Sequence, residues 1–93
     1  MSLIYSAEAL ADLVRLREFI AQHNPAAAAR IAQQLLERIN HLCEFPMIGV
    51  CVTQAPLAGS VRDFTFGNYI VRYAVQGDSL FILRIWHHLE QRE

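Results

Sequence analysis

The chain has 93 residues, enough for one domain with one modest hydrophobic core, and we treat residues 1–93 as a single domain. Hydrophobic residues make up 54% of it and charged residues 18%, so it is more apolar than an average soluble domain and we expect part of its surface to meet a partner. The net charge of -1 argues against free-standing nucleic-acid binding, which needs a basic field.

The sequence also bears on membranes, location and bound ions. It contains no run of about eighteen apolar residues that would span a membrane, and its first residues lack the pattern of a secretion signal, so we expect a cytoplasmic protein with no membrane partner. Cys43 and Cys51 are then expected to remain reduced thiols. No spacing of cysteine and histidine is typical of a zinc site, and His23 and His41 lack a second ligand one helical turn away. We therefore predict neither a metal nor a cofactor.

The N-terminal third predicts a short strand over residues 3–5 and then a helix. Ser6 is a suitable N-cap, and Glu8 lies in the first turn, where a negative charge favours the helix dipole. The helix is expected to run from residue 7 to about residue 23. Its buried stripe is predicted as Leu10, Leu13, Leu16 or Arg17, and Ile20, and its polar side as Asp12, Arg15, Glu18 and Gln22.

A second helix is predicted from residue 25 to about residue 44. Asn24 followed by Pro25 is a typical helix start, and Pro46 marks the end. The connection between the two helices is short, which indicates an antiparallel helical hairpin. Apolar residues recur at helical spacing and form its expected buried stripe: Ala28, Ile31, Leu35, Ile39 and Leu42.

The remainder predicts strands. Residues 47–60, which include Pro56 and Gly59, are interpreted as a loop or weak strand. Three strands follow at residues 61–66, 69–76 and 80–88, separated by tight turns at 67–68 and 77–78. The predicted fold is α+β: a two-helix antiparallel hairpin packed on a small antiparallel sheet, made of the short N-terminal strand and a three-stranded C-terminal meander.

The last two strands have almost no polar face. A strand with one solvated face alternates apolar and polar residues, but residues 69–75 are interrupted only by Arg72, and residues 80–87 only by Arg84 and the terminal His87. Two helices are too few to cover both faces of a sheet. The second face therefore either contacts another chain or forms an exposed apolar patch.

The candidate site residues lie on these strands. Arg62, Arg72, Arg84 and His87, with His88 beside it, have the groups needed to bind phosphate and move protons. The simpler interpretation, which we favour from spacing alone, is salt bridges with Asp63, Glu90 or a partner's carboxylates. Trp86 is either an interface anchor or packs on a helix. No nucleophile elbow, phosphate loop or dinucleotide motif is present.

In their order and spacing, several short segments resemble the RelE/ParE superfamily of bacterial type II toxin–antitoxin toxins. The resemblance covers nearly the whole chain. It is carried by Ser6-Ala7 with Asp12-Leu13 and Phe19-Ile20, by Pro46-x-x-Gly49, by Val61-Arg62-Asp63 with Tyr69-x-Val71-x-Tyr73, and by Ile82 to His87 with Glu90 and Arg92.

This resemblance implies a two-helix layer on an antiparallel sheet and a cognate antitoxin that wraps the toxin. Some members, ParE-like, trap DNA gyrase. Others, RelE-like, cut mRNA at the ribosome. Nuclease members tend to carry lysines where this chain has residues 49–52, and a basic residue where it has Leu89. We therefore expect a ParE-like gyrase inhibitor that arrests growth and has no catalytic residues. The alternative is a ribosome-dependent mRNA endoribonuclease that uses Arg62, Arg84 and His87.

The expected partners are thus an antitoxin and DNA gyrase, with the ribosome and mRNA as the alternative target. Because the meander is apolar on both sides, we expect the chain to aggregate alone and to be soluble with the antitoxin. The binding residues for antitoxin or target are predicted as Arg62, Arg72, Arg84, Trp86 and His87. We expect the antitoxin to lie on the sheet and to contact Arg72 or Arg84 through acidic residues.

Overall fold

A computed structural model describes residues 1–53 and 60–90 of the chain, so Pro56, Gly59 and Arg92 lie outside the described residues. It contains two α-helices and five β-strands. In chain order these are β1 (Ser2–Tyr5), α1 (Ala7–His23), α2 (Pro25–His41), β2 (Val50–Cys51), β3 (Val61–Phe66), β4 (Tyr69–Gln76) and β5 (Ser79–His87). The predicted α+β fold, a helical hairpin on a sheet, is confirmed.

The five strands form one sheet in the order β1-β5-β4-β3-β2. The predicted meander is present as β3, β4 and β5, in which each strand pairs antiparallel with the next one along the chain. The predicted weak strand is also present as β2, at the far edge. One detail differs from a purely antiparallel sheet: β1 pairs parallel with β5, with Ser2 opposite Ser79 and Tyr5 opposite Ile82. The helices and three strands that separate them supply the long connection that a parallel pair needs.

The helix ends follow local hydrogen bonds. The Ser6 side chain accepts a hydrogen bond from the Ala9 amide at 2.9 Å and caps α1 as predicted. Asn24 makes no side-chain cap for α2, which begins instead with Pro25 in the first turn. α2 ends at His41, earlier than the predicted residue 44, because the next residues form tight turns in which the Glu44 amide donates to the His41 carbonyl.

The core lies between the helices and one face of the sheet. The predicted α2 stripe is confirmed for four of its members, which are buried, while Ile31 is half-buried. The α1 stripe is partly wrong, because Leu10 is exposed and the residues that face the sheet are Ala9, Asp12, Leu16 and Ile20. α1 therefore has a second apolar stripe, with Leu10 and Val14, that the described residues leave exposed.

A β-bulge changes the alternation of β5. Ile82 lies opposite Tyr73 and Arg84 lies opposite Arg72, so Leu83 is an extra residue on β5. Leu80 and Ile82 are fully buried before the bulge, and Ile85 is fully buried after it. The strict alternation of the sequence, which groups Leu80 and Ile82 with Arg84, is therefore broken at this point.

Candidate functional site

Beyond Ile82, the edge of β5 is covered by α1 rather than by β1. The Ser6 amide donates to the Ile82 carbonyl at 3.0 Å, and the Ser6 hydroxyl donates to the Leu83 carbonyl at 2.9 Å. Further along, the Ile85 amide donates to the Asp12 carboxylate at 2.8 Å, while Arg15 donates to the Ile85 carbonyl at 2.9 Å. Side chains of α1 thus satisfy strand groups that a sheet edge leaves open.

Asp12 is the centre of this edge network. It was predicted on the polar side of α1, but only 2% of its side chain is exposed. Arg84 donates to it from Nε at 2.8 Å and from Nη2 at 3.1 Å, and Arg15 pairs with it as well. Burial opposes the charge, but the hydrogen bonds from Arg84, Ile85 and Arg15 hold the pKa of Asp12 below its ordinary value. A buried carboxylate needs such partners, and Arg84 is engaged in providing them.

The same network holds the turn after β5. Glu90 accepts hydrogen bonds from Arg15 at 2.8 and 3.1 Å and from the His87 amide at 2.8 Å. Burial opposes the charge of Glu90, but its hydrogen bonds from Arg15 and the His87 amide keep its pKa low. Glu90 was predicted to pair with an arginine of the meander; its partner is instead Arg15 of α1.

Arg72 pairs with its cross-strand neighbour. Its Nε and Nη2 donate to the two oxygens of Asp63 at 2.9 and 3.0 Å, which confirms the predicted salt bridge. The guanidinium also lies over the Trp86 ring, 5.3 Å from the ring centroid, which is the geometry of a cation–π contact. Trp86 is buried. Arg72 and Trp86, both predicted binding residues, therefore contact each other.

His87 is packed among aromatic rings. Its ring centroid lies 5.2 Å from that of Phe19 and 5.0 Å from that of Tyr69, and the residue is buried. The Leu89 amide donates to its Nδ1 at 3.1 Å, which requires that this nitrogen carries no proton. Burial, followed by the charge of His88, lowers the pKa of His87 below the ordinary value. The imidazole is therefore held neutral.

Arg62 lies at the other end of the sheet and holds the segment after α2. Its Nη1 donates to the carbonyls of Gly49 at 2.9 Å and Met47 at 3.3 Å, while its Nε is buried with no hydrogen-bond partner. Next to it, the Tyr73 hydroxyl donates to the Pro46 carbonyl at 2.7 Å and accepts from the Gly49 amide at 2.9 Å. These contacts explain the Pro46-x-x-Gly49 motif. In the sequence, Tyr73 was noted only as part of the Tyr69-x-Val71-x-Tyr73 segment. Its hydrogen bonds to the loop after α2 were not predicted.

The three residues of the predicted nuclease alternative are not brought together. Arg62 lies opposite Tyr73 and His87 lies opposite Tyr69, on the two outer sides of β4. Arg62 and His87 are therefore about 13 Å apart along the sheet, the length of four strand residues. They are about 10 Å apart across it, the width of two strand spacings. Arg84 lies between them along the sheet but is paired with Asp12.

The described part of the molecule has several concave apolar surfaces, and two of them lie on the sheet and on the helical hairpin. The first has a volume of about 640 Å³ and lies against β2 and β3. Its lining is mostly apolar and includes the Asp63–Arg72 ion pair; the other lining residues are Val50, Cys51, Val52, Thr53, Val61 and Leu83. The second, of about 410 Å³, lies between the helices and is called the hairpin groove; it is lined by Leu13, Val14, Arg17, Ala29, Ala32, Gln33 and Leu36.

Residues 1–53 and 60–90 contain no group of three or more His, Cys, Asp or Glu side chains placed to hold a metal ion. They also contain no helix that is both long and apolar enough to cross a membrane.

Comparison with known proteins agrees with this architecture. Residues 3–92 match the family described as ParE toxin of type II toxin–antitoxin system, parDE. The chain belongs to this toxin family. It is also 34% identical over 91 residues to "Toxin RelE1" of Caulobacter vibrioides, covering 98% of this chain and 97% of that protein. "Toxin RelE2" of the same organism is 33% identical over 85 residues, covering 90% and 91% of the two chains.

Solved structures of toxin–antitoxin systems share the fold. A chain of the chromosomal ParDE system from P. aeruginosa superposes with a TM-score of 0.78 at 25% identity, covering 94% of this chain and 95% of the other. A chain of the RelB–RelE antitoxin–toxin complex from Methanococcus jannaschii has a TM-score of 0.52 at 15% identity, covering 90% and 88%, and shares the fold alone. The protein is a type II toxin of the ParE/RelE superfamily, and its structural relatives occur with antitoxins.

Proposed function

We propose that the toxin arrests growth by inhibiting DNA gyrase rather than by cutting mRNA. The observation that carries this proposal is the separation of Arg62, Arg84 and His87, each of which is engaged elsewhere in the fold. RNA cleavage needs a proton-transferring group and a cation within reach of the same phosphate. The fold offers no such arrangement of these three side chains.

The state of His87 supports the same conclusion. A general acid or base needs a pKa near the working pH and a free nitrogen that faces the substrate. Burial instead lowers the pKa of His87, and its Nδ1 accepts a hydrogen bond from Leu89. The neutral ring therefore carries its proton on Nε2, so neither nitrogen has a free lone pair to act as a base. His87 is therefore better suited to hold the turn after β5 than to move protons.

Two exposed apolar residues also support a protein target. Nuclease members of the superfamily tend to carry cations near the positions of Val50 and Leu89. Here these are the most exposed large apolar side chains in the described part of the chain, at 75% and 71%. Apolar side chains that protrude in this way are typical of protein-binding surfaces and do not contribute to phosphate binding.

For the antitoxin, we propose the hairpin groove as the docking surface. Ala29 and Ala32 line it, and small residues such as these let another helix approach closely. Leu10 and Val14 of α1 are more than half exposed beside it and present apolar surface. Arg17 lines the groove and is suited to pair with an acidic residue. An amphipathic, acidic helix fits these features.

Antitoxin binding at Arg72 and Arg84, as predicted from the sequence, carries a free-energy cost that binding in the hairpin groove does not. Both arginines are already paired, with Asp63 and Asp12, so an acidic antitoxin residue there must displace or share an internal carboxylate. Because Asp12 is buried, its loss of Arg84 would leave a poorly compensated charge.

The target is tested by inducing the protein in cells without antitoxin and measuring DNA damage response and mRNA integrity. We expect DNA breaks with intact messages. The variant His87→Asn, whose Oδ1 can replace Nδ1 as acceptor of the Leu89 hydrogen bond, is expected to remain toxic, as is the exposed control His88→Ala. Rapid cleavage of translated messages, with normal supercoiling, would contradict the proposal. If His87→Asn abolished that cleavage and His88→Ala did not, the ribosome-dependent endoribonuclease with Arg62 as phosphate clamp would replace it.

A further inference from the structure

The segment between α2 and β2 exposes a run of large apolar side chains. Phe45, Met47, Ile48 and Val50 are each more than half exposed, and we call these four residues the apolar loop. Surface connections are usually polar, and single exposed apolar residues are common, but four within six positions form a contiguous apolar feature. The core makes little use of these side chains, so their presence needs another explanation.

The backbone of the apolar loop is held firmly from inside. The buried Tyr73 hydroxyl binds both the Pro46 carbonyl and the Gly49 amide, and Arg62 binds the carbonyls of Met47 and Gly49. The loop thus directs its polar backbone groups toward the protein and its apolar side chains toward solvent. A loop fixed in this way loses little conformational entropy on binding, which favours affinity.

Close packing at Gly49 fixes the same geometry. A β-carbon at this position would lie 2.7 Å from the Tyr73 hydroxyl oxygen and 2.9 Å from the Asp63 carbonyl oxygen, distances that real β-carbons do not reach. The backbone therefore approaches β3 and β4 more closely than any side chain permits. The position of the loop is therefore fixed by the fold, and its outer surface is apolar.

The chemistry around the loop indicates what it binds. Phe45, Met47 and Ile48 form a shallow cup of about 410 Å³ with Glu44 and Pro46. Beside it, Arg62 has no carboxylate partner among the described residues. A complementary partner therefore carries apolar side chains and a nearby Asp or Glu. A single cation among apolar residues is poorly suited to RNA, which needs several.

We propose that the apolar loop is the surface through which the toxin contacts its target protein, by binding a segment with apolar side chains beside an acidic residue. This rests on the proposed function only in that the target is a protein. The hairpin groove is a separate concavity that shares no lining residue with the apolar loop, so substitutions in the two surfaces test target binding and antitoxin binding separately.

The test compares two double variants that each replace exposed apolar side chains. Met47→Ser/Ile48→Ser alters the apolar loop, and Leu10→Ser/Val14→Ser, equally exposed on α1, is the matched control. Circular dichroism and thermal unfolding establish that both fold. Growth arrest, gyrase inhibition and antitoxin affinity are then measured for each variant and for the wild type.

We expect the loop variant to need about tenfold or more protein for growth arrest and for gyrase inhibition, as for loss of an interface anchor, with antitoxin affinity within about twofold of wild type. Leu10→Ser/Val14→Ser, which alters the proposed antitoxin surface at the hairpin groove, is expected to show the opposite pattern: growth arrest without antitoxin is kept and antitoxin affinity falls. A loop variant with full toxicity, or one that loses antitoxin affinity, would overturn the proposal. If the wild type arrests growth without affecting gyrase, the proposed target fails, but loss of arrest in the loop variant still supports a protein contact through the loop.

Discussion

The free edge of β5 and the apolar loop after α2 depart from the usual distribution of residues in opposite ways. At the strand edge, the charged Asp12 is buried and Arg15 and Arg84 converge on it. At the loop, large apolar side chains are exposed. Contacts within the chain account for the residues at the strand edge, because the charged side chains there are paired and the open backbone groups of the strand are hydrogen-bonded. Contacts within the chain do not account for the apolar side chains of the loop, since only the backbone of the loop is bound by the rest of the fold.

This difference separates residues that stabilise the fold from residues that serve a partner. Substitutions at the strand edge are expected to change stability, and substitutions on the outer surface of the loop are expected to change activity without changing stability. Arg84 and His87 were predicted as functional residues from the sequence; because both have partners within the chain, we propose that they belong to the first group.

The largest effect on stability is expected for Asp12→Ala. The change leaves the buried Ile85 amide without its acceptor, at a cost of about 1–3 kcal/mol. Loss of the charge-assisted hydrogen bonds from Arg84 and Arg15, whose side chains are 43% and 41% exposed, adds a further, smaller loss. The free energy of unfolding is measured by urea denaturation. Glu8→Ala, which removes an exposed carboxylate from the same helix, is the control. A loss for Asp12→Ala no greater than for this control would show that the edge network is not stabilising.

A smaller loss is expected for Tyr73→Phe. The substitution keeps the packed ring but removes the hydroxyl that binds Pro46 and Gly49, which leaves buried backbone groups unsatisfied at a cost of about 1–3 kcal/mol. Toxicity should fall as well, because the apolar loop loses its internal support. Unfolding and growth arrest are measured together, with Tyr5→Phe as the control. Lower stability with unchanged toxicity would argue that a rigid loop is not needed.

A still smaller effect is expected from the titration of His87. Its pKa is lowered in the folded state, so the unfolded chain binds the proton first as the pH falls. Stability is therefore lost as the pH decreases from about 6.5, the ordinary histidine value, toward the folded pKa. Asp12 and Glu90, whose folded pKa values are also lowered, add a separate loss below about pH 4. Stability measured from pH 8 to 5 should depend less on pH in His87→Gln; an unchanged slope would contradict this assignment.

The smallest effect on stability is expected for Val50→Lys/Leu89→Lys. Both positions are largely exposed, so the free energy of unfolding should change by no more than about 0.5 kcal/mol. The double variant should not gain mRNA cleavage, because Arg62 and His87 remain far apart. A clear stability loss would mean that these apolar side chains belong to the fold, which would remove the contrast with the strand edge.

Sequence patterns predicted the α2 stripe, the meander and its turns because these depend on local periodicity and turn residues. They failed at α1, where Asp12 was placed on the polar side. Its burial depends on Arg84 and Ile85, more than seventy residues away, and no local pattern contains that pairing. The bulge at Leu83 shifts the alternation of β5 for a similar reason. Tyr73 was missed because its function is to bind the backbone of a loop that is distant in sequence.

Gyrase inhibition is tested directly by a supercoiling assay with purified gyrase and the full chain, freed from its antitoxin. We expect the wild type to inhibit supercoiling, added antitoxin to reverse the inhibition, and Met47→Ser/Ile48→Ser to inhibit about tenfold less well. Full gyrase activity in the presence of the toxin, together with cleavage of mRNA when the same preparation is added to translating ribosomes, would contradict the proposed gyrase inhibition.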